Sequence, residues 1–222
     1  MTRDEAFKWQ FADLATQYYV AARIAAKTGL APIHGNLFHH AVELYLKAAL
    51  VGTIPVEQMK RNPFSHDLRA IWRAFKTKEN DSALDRFDGT VEALHEFESI
   101  RYPDKVVDHG MIVAIGWKPG DAGRVTGTGK MPPSYEVVIE EVDRLIIEVL
   151  RCASVNPKFF GMRFNHPVAR EALAYQNPEA SSWMEPPAAG SSTGWRQLVS
   201  KQKTLFMILF LLGLAAIAFW WR

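Results

Sequence analysis

The chain lacks several features that would mark a secreted or a hydrolytic protein. It contains a single cysteine, Cys152, so no disulfide bond can form within the chain. Its first 20 residues are mixed and charged, without the apolar stretch of a signal peptide. No Gly-x-Ser-x-Gly segment is present, so nothing indicates a serine hydrolase of the α/β type. These absences favour a domain that stays in the cytoplasm.

Most of the chain also lacks a strong excess of either positive or negative charge. The sequence has 26 Lys and Arg against 24 Asp and Glu. Four of the basic residues, and none of the acidic ones, follow residue 185, so residues 1–185 are slightly acidic. A globally basic surface, which is typical of proteins that bind nucleic acid by charge alone, is therefore excluded.

Motifs for metal or nucleotide binding are incomplete. Residues 92–95 (EALH) match the Glu-x-x-His element of di-metal helical bundles, but the chain has no second copy of that element. Residues 127–130 (GTGK) resemble the end of a phosphate-binding loop. Arg124 stands at the position of its first glycine, and Met131 stands at the position of its Ser or Thr. We therefore predict no metal site and no cofactor.

One long apolar run is present near the end of the sequence. Residues 204–221 (TLFMILFLLGLAAIAFWW) contain no charge and no proline, and basic residues flank them. As a helix they span about 27 Å, close to the hydrocarbon thickness of a bilayer. A buried core helix is the alternative, but such a helix normally has a polar face. We predict a single C-terminal transmembrane helix after a flexible linker at 176–200, with the N-terminal domain in the cytoplasm by the positive-inside tendency.

Helical periodicity dominates the remaining sequence. Apolar residues recur at steps of three and four, which predicts helices at about 7–25, 35–51, 65–76, 82–99, 134–152 and 167–175. Residues 111–117 and 124–130 are short and β-prone, and they predict a β-hairpin inserted at about 111–130. The sequence therefore predicts an all-α helical bundle over residues 1–175 with a small β-hairpin insertion.

Three blocks of the helical part resemble the HEPN family of small α-helical bundle proteins. They are residues 40–50 (HAVELYLKAAL), 65–68 (SHDL) and 100–104 (IRYPD). Their order and spacing carry the resemblance, which covers about residues 5–155 apart from the insertion. The resemblance implies a HEPN-like bundle, a role in handling RNA or nucleotides, often in defence or stress systems, and a homodimer.

HEPN proteins that cut RNA use an Arg followed, after about four to six residues, by a His, and they need no metal. In such a pair the His moves a proton and the Arg holds the scissile phosphate. Here Arg101 is followed by His109 with seven residues between them, so the spacing departs from the family pattern. Arg101 and His109 are the candidate catalytic residues of this resemblance. The alternative is that Arg101 stabilises the bundle.

Four further residues are candidates for binding. Lys47 on the second predicted helix is placed with Arg101 as an anion site, and Tyr102 belongs to the third block. Arg69 and Arg73 share one face of the third predicted helix within a local basic cluster. That face is a candidate for RNA phosphates or anionic lipid headgroups, and the alternative is an ordinary solvated surface.

Three hypotheses for function follow from these features. The leading one is a membrane-tethered HEPN-like module that binds RNA, a nucleotide or a protein partner. The second is an active metal-independent ribonuclease that uses Arg101 and His109, with the insertion as its lid. The third is a ligand-free adaptor that brings a protein partner to the membrane. His66 or Ser65 is expected to cap the third helix, and Asp67 near its N-terminus favours the helix dipole.

Overall fold

Most of the described chain is α-helical, as the apolar periodicity predicts. The computed structural model describes residues 1–31, 33–121, 132–161 and 166–184, with Lys105 described by its backbone alone. The helices in these ranges are α1 (Arg3–Lys27), α2 (Ile33–Leu50), α3 (Val56–Met59), α4 (Leu68–Glu79), α5 (Asp88–Glu96), α6 (Pro103–His109), α7 (Ile139–Cys152), α8 (Lys158–Gly161), α9 (Pro167–Ala174) and α10 (Ala180–Trp183). Two 3-10 helices, Ser82–Phe87 and Phe97–Ile100, flank α5, and the strands are β1 (Ile112–Gly116) and β2 (Ser134–Val138).

Local sequence signals set both ends of α1. The Thr2 side chain accepts a hydrogen bond from the Glu5 amide at 3.2 Å, and the Glu5 carboxylate accepts one from the Thr2 amide at 2.6 Å. This is the capping box that starts many helices. At the other end Gly29 has a φ of +72°, and the Leu30 amide donates to the Ala25 carbonyl. That Schellman turn favours glycine, and it lets α2 pack back against α1.

The core lies where α1, α2, α4, α5 and α7 face one another. Its large side chains are almost wholly removed from water, as Phe38, Tyr45, Phe75 and Phe97 show. Burial of each such side chain contributes about 1.5–3 kcal/mol to folding. Gly35 of α2 permits the Phe97 ring to lie directly against the α2 backbone, since a Cβ atom there would lie only 2.1 Å from that ring.

The segment before α7 differs from the sequence prediction. The first predicted strand is confirmed as β1, but β1 pairs in parallel with β2, with Ile112 opposite Ser134. The expectation of a helix from residue 134 is wrong, because α7 begins only at Ile139. Buried Tyr135 and Val137 alternate there with exposed neighbours, which is the two-residue period of a strand. The predicted second strand at 124–130 lies outside the described residues.

The predicted helix at 82–99 is divided into three parts. A 3-10 helix comes first, α5 follows from Asp88, and a second 3-10 helix ends at Ile100. Residues 88–90 (Asp-Gly-Thr) have low helix propensity, and the change from 3-10 to α-helical turns falls at their start. The second 3-10 helix turns the chain so that Phe97 and Ile100 both enter the core.

The folded unit extends to Met184, beyond the domain end expected at residue 175. Trp183 of α10 is 1% exposed, and its ring stacks on Tyr19 of α1 with 5.3 Å between centroids. Gly161 makes room for this segment, since a Cβ atom there would lie 1.9 Å from the Trp183 carbonyl oxygen. Residues 185–222, including the predicted transmembrane helix at 204–221, lie outside the described residues. Among the helices that are described, none has the length and apolar character needed to cross a bilayer.

A buried ion pair joins α1 to α7 and to the C-terminal segment. Arg23 and Asp143 are both fully buried, and Arg23 Nη1 donates to Asp143 Oδ2 at 2.6 Å. The Tyr19 hydroxyl donates to Asp143 Oδ1 at 2.6 Å. Arg23 also donates through Nε to the Ala172 carbonyl at 2.7 Å and through Nη2 to the Tyr175 carbonyl. The guanidinium therefore fixes the end of α9 against α1.

Candidate functional site

One face of α2 carries polar side chains although it is buried. His39, Glu43 and Lys47 follow one another at steps of four residues, so they lie on the same side of the helix. All three are less than a tenth exposed. Buried charged groups cost free energy unless they are paired, so a face of this kind indicates a specific polar site rather than ordinary core packing.

Glu43 is the centre of this site. Its Oε1 accepts a hydrogen bond from Lys47 Nζ at 2.6 Å. Its Oε2 lies 3.4 Å from His40 Nδ1, 3.4 Å from His66 Nδ1 and 3.7 Å from His39 Nε2. We call Glu43 and these four side chains the Glu43 cluster.

The Glu43 carboxylate is ionised at neutral pH. Burial acts to raise its pKa, but the hydrogen bond from His40 and the charge of Lys47 outweigh burial and lower the pKa of Glu43 to about 2. The cluster therefore holds a fixed negative charge within reach of three imidazoles. A carboxylate in this position determines which ring nitrogen of a histidine carries the proton.

Solvent reaches two of the three imidazoles. The side chain of His40 is 26% exposed and that of His66 is 54% exposed, and their ring centroids are 6.2 Å apart. Each ring turns Nδ1 towards Glu43, which places the proton of the neutral ring on Nδ1. The Nε2 atoms are then on the side of each ring remote from Glu43, with a lone pair available.

The third imidazole, His39, is buried. Its Nδ1 lies 3.0 Å from the Leu94 carbonyl oxygen, so Nδ1 carries the hydrogen. Its Nε2 lies 3.9 Å from Glu98 Oε2, and it forms no hydrogen bond with any described residue. Burial lowers the pKa of His39, and the Leu94 carbonyl and the Glu43 charge act in the opposite direction. His39 is therefore the buried, neutral imidazole of the cluster.

Two of the three sequence blocks that resemble HEPN proteins meet at this place, and the third lies one residue contact away. The first two blocks supply the cluster itself, and Lys47 Nζ joins them by donating to the Ser65 carbonyl at 2.7 Å. The third block is connected through Glu98. Arg101 Nη1 lies 3.5 Å from Glu98 Oε1, and the other oxygen of Glu98 faces His39. Segments that are far apart in the sequence thus form one surface region.

The predicted catalytic pair is not brought together. Arg101 is exposed beside the cluster, and its guanidinium lies 5.9 Å from the ring of Tyr102, which is itself largely exposed. His109 is the last residue of α6, and its side chain makes no hydrogen bond or ion pair with another residue of the described ranges. Because α6 begins at Pro103, His109 lies about 9 Å further along the helix axis. Arg101, with Tyr102 next to it, is therefore linked to the Glu43 cluster through Glu98, whereas His109 lies at the far end of α6.

The basic face of α4 is largely neutralised. Arg69 donates through Nε to Glu92 at 2.6 Å and through Nη2 to Glu96 at 2.6 Å. Lys76 donates to two aspartates of the neighbouring segment at 2.8 Å. Arg73 is exposed and forms no ion pair within the part of the chain that the structure describes. The charge that this face offers to a polyanion is accordingly small, and Arg73 carries most of it.

The expectation that His66 or Ser65 caps the third helix is wrong. Asp67 does cap α4, since its side chain accepts a hydrogen bond from the Ala70 amide at 3.1 Å. His66 instead turns towards Glu43. The signal in the sequence was the spacing of His39, Glu43 and Lys47 on one helical face, together with two adjacent histidines. In the described ranges no group of three or more His, Cys, Asp or Glu residues is arranged to hold a metal ion.

Comparison of the chain with protein-family models, with curated proteins and with solved structures gives no match.

Proposed function

We propose that the chain is a membrane-tethered, HEPN-like module whose Glu43 cluster and adjoining residues bind single-stranded RNA. The observation that carries the proposal is the arrangement of the three sequence blocks. The first two surround one buried, ionised carboxylate and leave two imidazoles open to solvent, and the third is linked to them through Glu98 with one guanidinium and one phenol ring exposed.

The exposed groups suit the chemistry of a single RNA strand. Arg101 offers a charged fork for a phosphate, and His40 and His66 add positive charge whenever they are protonated. Tyr102, at 67% exposure, offers a flat face for a base. Proteins that bind single strands combine cations for the backbone with aromatic rings on which bases stack.

Charge in this region depends on the histidines. With neutral imidazoles, the carboxylates of Glu43 and Glu98 are balanced by Lys47 and Arg101, so the region carries little net charge. Each protonated imidazole adds one positive charge. Added positive charge strengthens the attraction of the region for the phosphate backbone of RNA.

The membrane tether rests on the apolar sequence at 204–221 and the basic residues that precede it. A homodimer is proposed on the resemblance alone. The tether is tested by fractionating cells that express the full chain or a chain that ends at residue 203. The full chain should remain with the membrane in alkaline carbonate, and the shortened chain should not. Equal behaviour of the two would refute the anchor.

RNA binding is tested with the full chain in mild detergent and a fluorescent 12-nucleotide RNA of mixed sequence. Arg101→Ala should weaken binding at least about tenfold, because a charged hydrogen bond to phosphate contributes about 1.5–3 kcal/mol. Arg151→Ala is the matched control, because Arg151 is an exposed arginine of α7 that pairs with Glu148. Absence of binding at both pH 6 and pH 7.5, or equal affinities of the two variants, would refute the proposal.

A further inference from the structure

We infer that the surface formed by α8 and the first half of α1 binds the headgroup layer of the lipid bilayer. The inference rests on the membrane tether of the proposed function, and it does not depend on RNA binding at the Glu43 cluster. We call this surface the α8 face, and its residues are Trp9, Gln10, Asp13, Phe159 and Phe160.

The α8 face is an open groove with aromatic walls. Its volume is about 320 Å³. The Trp9 ring meets Phe159 edge to face, with 5.6 Å between centroids, and lies 5.9 Å from the Phe160 ring. Phe160 is buried, whereas Phe159 is 62% exposed. The buried ring therefore fixes α8 on the core, and the next ring along the chain faces solvent.

The combination of these side chains favours a bilayer. A single exposed phenylalanine is ordinary on a protein surface, so Phe159 alone indicates nothing. Here a half-buried tryptophan stands beside it, and the indole N–H of Trp9 donates to no residue of the described ranges. The headgroup layer suits such a pair, because it accepts an apolar ring and offers oxygen acceptors to the indole. Leu14, one helical turn after Gln10, is 44% exposed and extends the apolar surface.

Charge around the α8 face permits contact with lipid phosphates. Lys8 precedes Trp9 and Lys158 precedes Phe159, and neither ammonium group forms an ion pair with another described residue. Asp13 in the groove carries the opposite charge. The three side chains together give a net charge of only +1, so the contact depends on the aromatic rings more than on electrostatic attraction.

The place where the folded unit ends points to the same surface. The unit ends at Met184, and α10 packs against α8. A Cβ atom on Gly161, two residues after Phe159, would lie 3.7 Å from Met184 Cγ. The chain therefore leaves the folded unit beside the α8 face.

The sequence beyond Met184 brings a bilayer within reach. Nineteen residues, 185–203, separate Met184 from the proposed anchor. A chain of that length with the composition of a linker spans about 24 Å on average. Tethering at this distance gives an effective concentration of about a millimolar, so a surface of modest affinity is sufficient.

Other exposed apolar surfaces of the described chain lack this combination. Tyr102 and Val107 are more exposed than Phe159, but they lie at α6, which packs on the second 3-10 helix. A second groove, of about 250 Å³, lies between α5, β2 and α7, and no aromatic side chain lines it.

The experiment uses the full chain in vesicles of three parts phosphatidylcholine to one part phosphatidylglycerol. An environment-sensitive fluorophore is attached to Phe159→Cys, with Cys152→Ser removing the native thiol. Lipids with a nitroxide near the glycerol end of the acyl chain should quench this label at least about twofold, because Trp and Phe side chains lie at that depth. The same label at Val107→Cys is the control and should not be quenched.

A second pair of variants tests the role of the ring. With the label at Gln10→Cys, the change Phe159→Asp should abolish quenching, whereas Val107→Asp should leave it unchanged. Both replaced side chains are exposed, so both variants should keep the wild-type circular dichroism spectrum. Quenching at Gln10→Cys should persist at about 0.5 M salt, at which exposed charges are largely screened.

The outcomes separate this inference from the tether. If the full chain resists alkaline carbonate but the label at residue 159 is not quenched, or is quenched no more than the label at residue 107, the inference is overturned and the tether stands. A protein would then be the occupant of the groove. If carbonate releases the full chain, both are overturned. Loss of quenching at high salt, or its persistence in Phe159→Asp, would refute the contact through aromatic rings.

Discussion

Asp143 provides the sharpest test of how the fold is held together. Asp143→Asn keeps the size of the side chain but removes the charge that the buried Arg23 guanidinium faces. Asn can still accept one of the hydrogen bonds that Arg23 and Tyr19 now donate, but its amide group turns a donor towards another donor. The variant therefore leaves an arginine buried without a counter-charge.

The expected loss is large relative to the stability of a domain. Removing one partner of a buried ion pair costs about 3–5 kcal/mol, against a total free energy of unfolding of about 5–15 kcal/mol. The effect should be local as well as global. Arg23 also holds the carbonyls of Ala172 and Tyr175, so α9 and the residues after it should become more accessible to protease.

The assay is urea unfolding of the full chain in detergent, followed by far-ultraviolet circular dichroism. Glu148→Gln is the control on the same helix, because Glu148 pairs with arginines at the surface and should change the free energy of unfolding by less than about 1 kcal/mol. The double variant Arg23→Met with Asp143→Leu should recover most of the loss, since no charge remains unpaired. A free energy of unfolding for Asp143→Asn within 1 kcal/mol of wild type would refute this reasoning.

Three further predictions concern packing and pH. Gly35→Ala should lower the free energy of unfolding by at least about 1–3 kcal/mol, because its Cβ would overlap a core phenylalanine ring. Gly89→Ala, with open space around it, should instead gain about 0.5–1 kcal/mol, and the two melting temperatures check both. Trp183→Ala should cost about 3–5 kcal/mol and speed proteolysis after residue 161, whereas unchanged cleavage would show that α10 is not docked. Finally, Glu43 has a pKa of about 2 in the folded chain and about 4.5 when unfolded, so it contributes stability above pH 4.5 that is lost as the pH falls towards 2. The loss is about 3 kcal/mol, and it should disappear in Glu43→Gln. As the pH is lowered, the free energy of unfolding should already decline below pH 6.5, because His39 is buried in its neutral form.

The sequence predicted the helices well because their signals are local. Apolar residues at steps of three and four defined α1, α2, α4 and α9 within a few residues, whereas the cap of α4 is Asp67 and not the neighbouring Ser65 or His66. β2 was missed for a local reason too. Tyr135, Val137 and Val138 are compatible with a strand and with the first turn of a helix, and only the pairing with β1 decides between them.

The Glu43 cluster and the end of the domain depend on contacts that no local pattern contains. His66 meets Glu43 only because α2 and the start of α4 lie side by side, a relation that helix periodicity does not specify. The segment after residue 175 has the Pro- and Ser-rich composition of a linker. The segment is nevertheless part of the folded domain, because the Trp183 side chain is buried beside Tyr19.

The way the C-terminal segment is docked determines how the folded unit responds to mechanical load. Any pull on the chain beyond Met184 enters the domain at Trp183, whose indole is buried against α1 and whose backbone passes over Gly161. The next attachments towards the N-terminus are the Asn177 side chain, which donates to the Tyr19 hydroxyl at 3.0 Å, and then the Arg23 guanidinium on the Tyr175 and Ala172 carbonyls. Tension along the chain therefore acts first on the indole, then on the Asn177 amide and last on the guanidinium, and all three attachments end on α1 rather than on the helices that hold the Glu43 cluster.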